Sequence, residues 1–374
     1  MSTMDRPITV HQPRRLEIGA GAAARVGVRT AFAGRPLVIA GGPTAQYVER
    51  LGLSGDVLVI DDVPPEPDLD ALNAALDRAR AHAPDVVVGL GGGSVLDVAK
   101  LVAALWNGEQ NLPDVVGPDK VAGRDTPLVQ VATTAGTGSE AGIRALITDA
   151  ATKSKMAVES PHLIADLAVL DPELTFSVPP AVTAATGIDA MAHCVEAFTN
   201  AKAHDLIDGF ARMGIALVGR YLRRAVENGR DSEARAGMML ASYYGGICLG
   251  PVNTAAGHAL AYPLGTRLSL PHGLANAIIF PRVLAFNQSA APAKTAEVAT
   301  ALGLSDAADE QALEDSAVAF CKDLGIEMRL SRHGGRDVDL PDWAREAHAI
   351  RRLMDNNPRD MSVADVETLY RAAL

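Results

Sequence analysis

The chain has 374 residues, with 34 Lys and Arg against 45 Asp and Glu and a net charge of −11 when its nine His are neutral. That length allows two domains with large cores, and the acidic balance argues against a nucleic-acid or anionic-membrane surface, where phosphate neutralisation needs clustered Lys and Arg. The three cysteines, Cys194, Cys248 and Cys321, are too few and too scattered for a disulfide framework or a thiolate metal site.

In chain order, Pro36–Gly42 (PLVIAGG) reads as a buried strand and Pro43–Leu51 as a helix. Asp56–Asp61 is a second strand, and a Pro/Asp turn then opens a helix over Leu69–His82. Asp85–Ser94 (DVVVGLGGGS) is a third strand running into a glycine-rich turn, Val95–Leu105 is its helix, and Pro127–Thr134 is a fourth strand. Continuous apolar runs alternating with helices indicate a parallel sheet covered on both faces. A Rossmann-like α/β domain is therefore expected over residues 1–178. At Ser177–Pro180 the pattern changes, and an all-helical domain is expected over residues 179–374. Its helices read as Pro180–Phe198, Asp205–Glu227, Glu233–Gly246, Ala293–Leu302 and Asp309–Leu324. The opening residues lack the apolar region of a secretory signal, and no run approaches the roughly 18 apolar residues of a membrane span, so a cytoplasmic protein is expected.

Gly91, Gly92, Gly93 and Ser94 lie between a strand and a helix, as an anion site requires. Glycines let the backbone approach closely, and the helix N-terminus supplies N–H groups and a positive dipole. The dinucleotide fingerprint GxGxxG is not met, because its third glycine falls on Ser94, so a tight turn without a ligand is the plainer alternative. Thr133–Glu140 (TTAGTGSE) follows the fourth strand, at the carboxyl end where open α/β sheets hold ligands. Two such loops favour a nucleotide over a lone phosphate. Asp189 and His193, at i and i+4 on an apolar helix, share one face, and an unpartnered buried carboxylate is costly. His258 and His272 follow, and one carboxylate with three imidazoles suits Fe²⁺, Zn²⁺ or Mn²⁺. The other six His (His11, His82, His162, His204, His333 and His348) read as surface residues.

With these segments side by side, the chain resembles the iron-containing (group III) alcohol dehydrogenases over nearly its whole length. The resemblance is carried by GGGSVLDVAK (Gly91–Lys100), TTAGTGSE, DPELT (Asp171–Thr175), PPAVTAATGIDAMAHCVEAF (Pro179–Phe198), HALAYPLG…LPHGLANAIIFP (His258–Pro281) and NPRDMSVADVETLYRAAL (Asn357–Leu374). It implies the dehydroquinate synthase-like fold, with Asp189, His193, His258 and His272 as ligands of Fe²⁺ or Zn²⁺. It also implies NAD(P) contacts at Gly92, Gly93, Ser94, Asp97, Thr133, Thr134, Thr137 and Lys155. The implied chemistry is hydride transfer between nicotinamide and a small alcohol or aldehyde, at a cleft between the domains. A homodimer or larger homo-oligomer is implied as well.

Three positions depart from the family pattern. Many members carry His where this chain has Tyr262, and a phenol, with a reference pKa of about 10, relays protons less readily near neutral pH. NAD-preferring members place an Asp where this chain has Gly41 and Gly42; without it a 2′-phosphate is not repelled, and NADP becomes as acceptable as NAD or preferred. Arg144 stands where relatives often carry an uncharged residue, and it could hold a substrate carboxylate, sulfonate or phosphonate; the alternative is a structural ion pair with Glu140 or Asp149. Rival readings are a maleylacetate reductase-like or glycerol dehydrogenase-like oxidoreductase, or a catalytically silent nucleotide-binding protein.

Overall fold

The computed structural model describes residues 5–31, 33–149, 154–305 and 308–374. They divide into two compact units, residues 10–177 and Val178–Leu374, the latter joined by the described residues before Val10.

The first unit runs β1 (Leu16–Ile18), α1 (Arg25–Arg29), β2 (Pro36–Ala40), β3 (Leu58–Ile60), α2 (Leu69–His82), β4 (Val86–Gly91), α3 (Gly93–Leu105), α4 (Leu112–Val115), β5 (Gly117–Pro118), β6 (Leu128–Ala132), β7 (Arg144–Asp149), β8 (Ser154–Glu159) and β9 (Leu167–Leu170). Six strands form a wholly parallel sheet in the order β1-β9-β6-β4-β2-β3. A second sheet joins β5, β8 and β7, with β7 and β8 antiparallel. The apolar runs are continuous because both faces of the main sheet are covered. Leu37, Ile39 and Val87 pack on one face with residues of α2 and α3, while Val38, Val86, Val88 and Leu90 pack on the other with Val26 and Leu51. The expected helix after β2 is instead a tighter 3-10 winding over Gly42–Leu51, whose first turn is closed by Thr44 N–H donating to Gly41 O at 2.8 Å.

Chain order also fixes where a ligand can sit. The chain goes from β2 outward to β3, then returns past β2 to β4 and continues to β6. This reversal leaves a switch point between the carboxyl ends of β2 and β4, the place where doubly wound sheets bind ligands. Gly41 and Gly42 lie beyond one strand and Gly92–Ser94 beyond the other.

The second unit is helical: α5 (Pro180–Thr199), α6 (Asp205–Glu227), α7 (Ser232–Leu249), α8 (Ala256–Leu268), α9 (His272–Asn287), α10 (Pro292–Leu302), α11 (Glu310–Asp323), α12 (Leu340–Ala349), α13 (Arg351–Met354) and α14 (Val363–Ala372). Among the described residues no helix is long and apolar enough to cross a membrane. Pro180 opens α5 at a first-turn position, where its missing N–H costs nothing. Every residue of α5 from Gly187 to Thr199 is buried, and α5 packs against α6, α7 and α9. A core of α8, α9, α12 and α14 residues supports the other side, with the Tyr370 hydroxyl donating to Leu260 O at 2.6 Å.

α9 meets α5 through backbone. A Cβ on Gly273, next to His272, would lie 2.7 Å from Ala185 O. Gly273→Ala is therefore expected to force the two helices apart, destabilising the unit by about 1–3 kcal/mol in denaturant unfolding. Wild-type stability in the variant would contradict this packing.

Candidate metal centre and nucleotide-binding loops

Asp189, His193 and Glu196 occupy positions i, i+4 and i+7 of α5, so they share one stripe of the helix. His258 sits in the first turn of α8 and His272 opens α9. The four groups Asp189, His193, His258 and His272 converge, with ligand atoms all within 4.8 Å of one another. Asp189 Oδ1 lies 3.9 Å from His193 Nε2, 3.5 Å from His258 Nε2 and 3.6 Å from His272 Nε2. Donors on a tetrahedral ion with bonds of roughly 2.1 Å stand about 3.4 Å apart, so the spacing suits a first-row divalent metal. Asn276 Nδ2 donates to Asp189 Oδ1 at 2.8 Å and lies 3.2 Å from His272 Nε2. Three of the four groups are buried, whereas the side chain of His272 is 35% exposed, so the cluster opens on the His272 side.

Glu196 completes the arrangement; it escaped the reading of the sequence, although its i+7 spacing from Asp189 is the signal that could have found it. A carboxylate can only accept, so His258 Nδ1–H donates to Glu196 Oε1, at 2.6 Å. This turns Nδ1 to Glu196 and aims the buried Nε2, which has no hydrogen-bond partner, into the cluster, the orientation a metal-binding His needs. Glu196 Oε2 also accepts from the N–H groups of Ala255 and His258 at 2.5 and 3.4 Å, capping the start of α8. Burial alone would raise the Asp189 carboxyl, but the facing imidazoles of His193, His272 and His258 hold it well below the usual carboxylate range. Burial drives the His193 imidazole down to about 4, keeping it neutral. For His258 burial acts in the same sense, yet the Glu196 and Asp189 carboxylates outweigh it and push the imidazole up to about 10.

In the first unit, the Gly91–Gly93 turn packs directly on the loop after β6. Thr133 N–H donates to Gly91 O at 3.0 Å, and a Cβ on Gly93 would lie 2.7 Å from Thr137 Cγ2, so only glycine allows the two loops to touch. A Cβ on Gly92 would lie 3.1 Å from Thr134 Oγ1. The first N–H groups of α3 stand outside its own hydrogen-bond ladder, as helix starts require. Lys155 Nζ donates to Thr148 Oγ1 at 2.9 Å and pairs with Glu66, whose N–H reaches Ser94 Oγ at 3.3 Å. Residues 66, 91–94, 133–137 and 155 are thus neighbours or linked by one intermediate.

Other positions carry internal bonds. Asp97 Oδ1 accepts from Ser139 Oγ at 2.6 Å and Oδ2 from Leu146 N–H at 2.9 Å, so its carboxylate braces the second loop and β7. Lys100, wholly buried, donates to Ser139 Oγ at 2.8 Å and Arg144 O at 2.7 Å. Burial pushes the neighbouring Glu140 carboxyl up to about 7. Gly41 N–H donates to Thr44 Oγ1 at 3.0 Å, and that hydroxyl lies 2.8 Å from Leu90 O, so the Gly41 N–H is occupied. The Arg144 guanidinium donates to Glu159 Oε2 through Nε and Nη2 at 3.1 and 2.7 Å. Antiparallel register sets Arg144 opposite Glu159, a partner distant enough in sequence to escape the local comparison with Glu140 and Asp149. Two histidines expected at the surface are not there: His204 is buried, its Nδ1 accepting from Leu206 N–H at 3.2 Å to cap α6, and the His82 side chain is 10% exposed.

Because His258 keeps its proton near neutral pH, a metal must displace it. Affinity for Zn²⁺ is expected to rise about tenfold per pH unit between about pH 7 and pH 9, with proton release on binding. Glu196→Gln is expected to weaken affinity about 10–100-fold without unfolding the unit. Titration calorimetry in buffers of different ionisation enthalpy checks both; pH-independent affinity, or none lost in the variant, would contradict the reading.

The chain matches two family models, "Iron-containing alcohol dehydrogenase" over residues 13–172 and "Fe-containing alcohol dehydrogenase family, C-terminal" over residues 183–374. It is 36% identical over 347 residues to long-chain-alcohol dehydrogenase 1 of Geobacillus thermodenitrificans, covering 90% of this chain and 87% of that one. It is 36% identical over 314 residues to sulfoacetaldehyde reductase of Bilophila wadsworthia, covering 82% and 81%. The crystal structure of sulfoacetaldehyde reductase from Bifidobacterium kashiwanohense in complex with NAD⁺ superposes with a TM-score of 0.87 at 26% identity, covering 98% and 99%. With both parts of the chain matched, the protein belongs to the iron-containing alcohol dehydrogenase family and is an oxidoreductase acting on CH–OH groups.

Proposed function

We propose that the protein is a metal-dependent, NAD(P)-linked alcohol dehydrogenase or aldehyde reductase acting on a small alcohol or aldehyde. The observation that carries the reading is the convergence of Asp189, His193, His258 and His272, with a buried His258 Nε2 that has no hydrogen-bond partner. Fe²⁺ or Zn²⁺ bound there supplies Lewis acidity, stabilising negative charge on the substrate oxygen. The protein's part is to hold three donors rigid in an apolar interior while His272 leaves one side open to a small molecule. Tyr262 stands on that side, its ring centroid 6.1 Å from that of His272, and bounds the space a substrate can occupy.

A bound nicotinamide dinucleotide would give hydride to the aldehyde or take it from the alcohol. Gly91, Gly92, Gly93 and Ser94 are proposed to hold its pyrophosphate by close backbone approach, with Thr133, Thr134, Thr137 and Lys155 beside them. Asp97 acts from behind, by fixing Ser139 and the loop it belongs to. At Gly41–Gly42 there is no carboxylate to repel a 2′-phosphate, but the Gly41 N–H is already taken by Thr44, leaving Gly42 as the remaining glycine donor. Acceptance of both NADH and NADPH follows, without strong discrimination. The state proposed in the cell is a cytoplasmic homodimer or larger homo-oligomer.

The test is a panel of short aldehydes with NADH and NADPH on Fe²⁺- and Zn²⁺-loaded protein. Reduction is expected with at least one metal and with both nucleotides, and Asp189→Ala should lower it more than about a hundredfold together with metal content. Failure to bind a divalent metal, with no turnover after metal addition, would favour the silent nucleotide-binding reading.

A further inference from the structure

On the open side of the metal cluster the helical unit presents an arginine that, among the described residues, forms no ion pair. Arg352, on α13, donates from Nη2 to the Tyr262 hydroxyl at 3.3 Å, and its guanidinium carbon lies 5.7 Å from the Tyr262 ring centroid. Tyr262 in turn stands beside His272, the exposed member of the cluster. The other arginines of α8, α12 and α13 are ion-paired: Arg267 with Glu346, Arg345 with Asp342 and Arg351 with Asp355. Among the described residues no carboxylate forms an ion pair with Arg352, although the chain carries 45 acidic residues. The phenol oxygen accepts one N–H of the fork and the ring lies within cation–π range, so the guanidinium of this exposed residue is steadied.

We propose that Arg352, steadied by Tyr262, holds the anionic tail of a short aldehyde or of its alcohol, with carboxylate or sulfonate as the tail. The inference rests on the metal centre of the proposed function being where the aldehyde oxygen is held. A guanidinium fork matches the paired oxygens of such tails and binds them through charge-assisted hydrogen bonds. Arg144, the cation singled out by the sequence, is less suited because its guanidinium already donates to Glu159. Arg352 is a specificity residue in this account and takes no part in hydride or proton transfer.

The experiment compares kcat/KM of the metal-loaded wild type, Arg352→Met, Arg352→Lys and Arg345→Met on propanal, sulfoacetaldehyde and 4-oxobutanoate. The wild type is expected to prefer the two anionic aldehydes. Arg352→Met should reduce that preference about tenfold or more, chiefly through KM. Arg352→Lys should restore part of it, and Arg345→Met, which removes an equal charge from α12, should keep it. An unchanged preference in Arg352→Met, or an equal loss in Arg345→Met, would overturn the inference while leaving the aldehyde reductase reading in place. No turnover of any aldehyde by the loaded wild type would overturn both.

Discussion

A carboxylate buried in the apolar middle of a helix has to be compensated, and that requirement at Asp189 organises the helical unit. Left alone, such a group costs several kcal/mol and would take up a proton. Here one amide donor from Asn276 and three imidazole nitrogens surround Oδ1. They come from three places along the chain: α5 itself, the first turn of α8 and the first two turns of α9. The helices can satisfy Asp189 only if they hold these starts against α5, which is why Gly257 and Gly273 stand at the crossings. A Cβ on Gly257 would lie 2.6 Å from Glu196 Oε1, so the capping carboxylate also needs a glycine in front of it.

The same economy appears in Glu196. One carboxylate caps α8 and sets the orientation of the His at its start, coupling the fold of the helix to the chemistry of the cluster. In the sheet unit the corresponding device is Asp97. Its two oxygens tie the loop after β6 and the start of the β7–β8 hairpin to α3, so that loops carrying the small residues are fixed from behind by a buried ionic group. Lys100 closes this network one turn later.

Much of this was legible in the sequence where the signal is local. The bounds of α2 and α6 follow from apolar spacing with Asp68 and Glu227 at their ends, and the buried strands β2, β4 and β6 announce themselves as unbroken apolar runs. Asp189 and His193 are legible as a pair because i and i+4 share a helix face. Helices α8 and α9 are harder, since Pro263 and Pro281 lie inside them and interrupt the usual reading. Apart from the ligand set that the family resemblance supplied, partnerships between distant residues were not legible. Glu159 faces Arg144 only through strand register, and Arg352 reaches Tyr262 only through the packing of α8 and α13. His204 reads as polar boundary residue until the start of α6 buries it as a cap.

The central claim is that Asp189, His193, His258 and His272 form one metal site whose geometry is set by Glu196. Anomalous diffraction at the metal edge from crystals of Zn²⁺- or Fe²⁺-loaded protein tests it most directly. The account predicts a single strong peak bonded to one Asp189 oxygen and to Nε2 of all three histidines, with His258 Nδ1 still on Glu196. A peak elsewhere, or a metal that leaves His258 unligated, would contradict it.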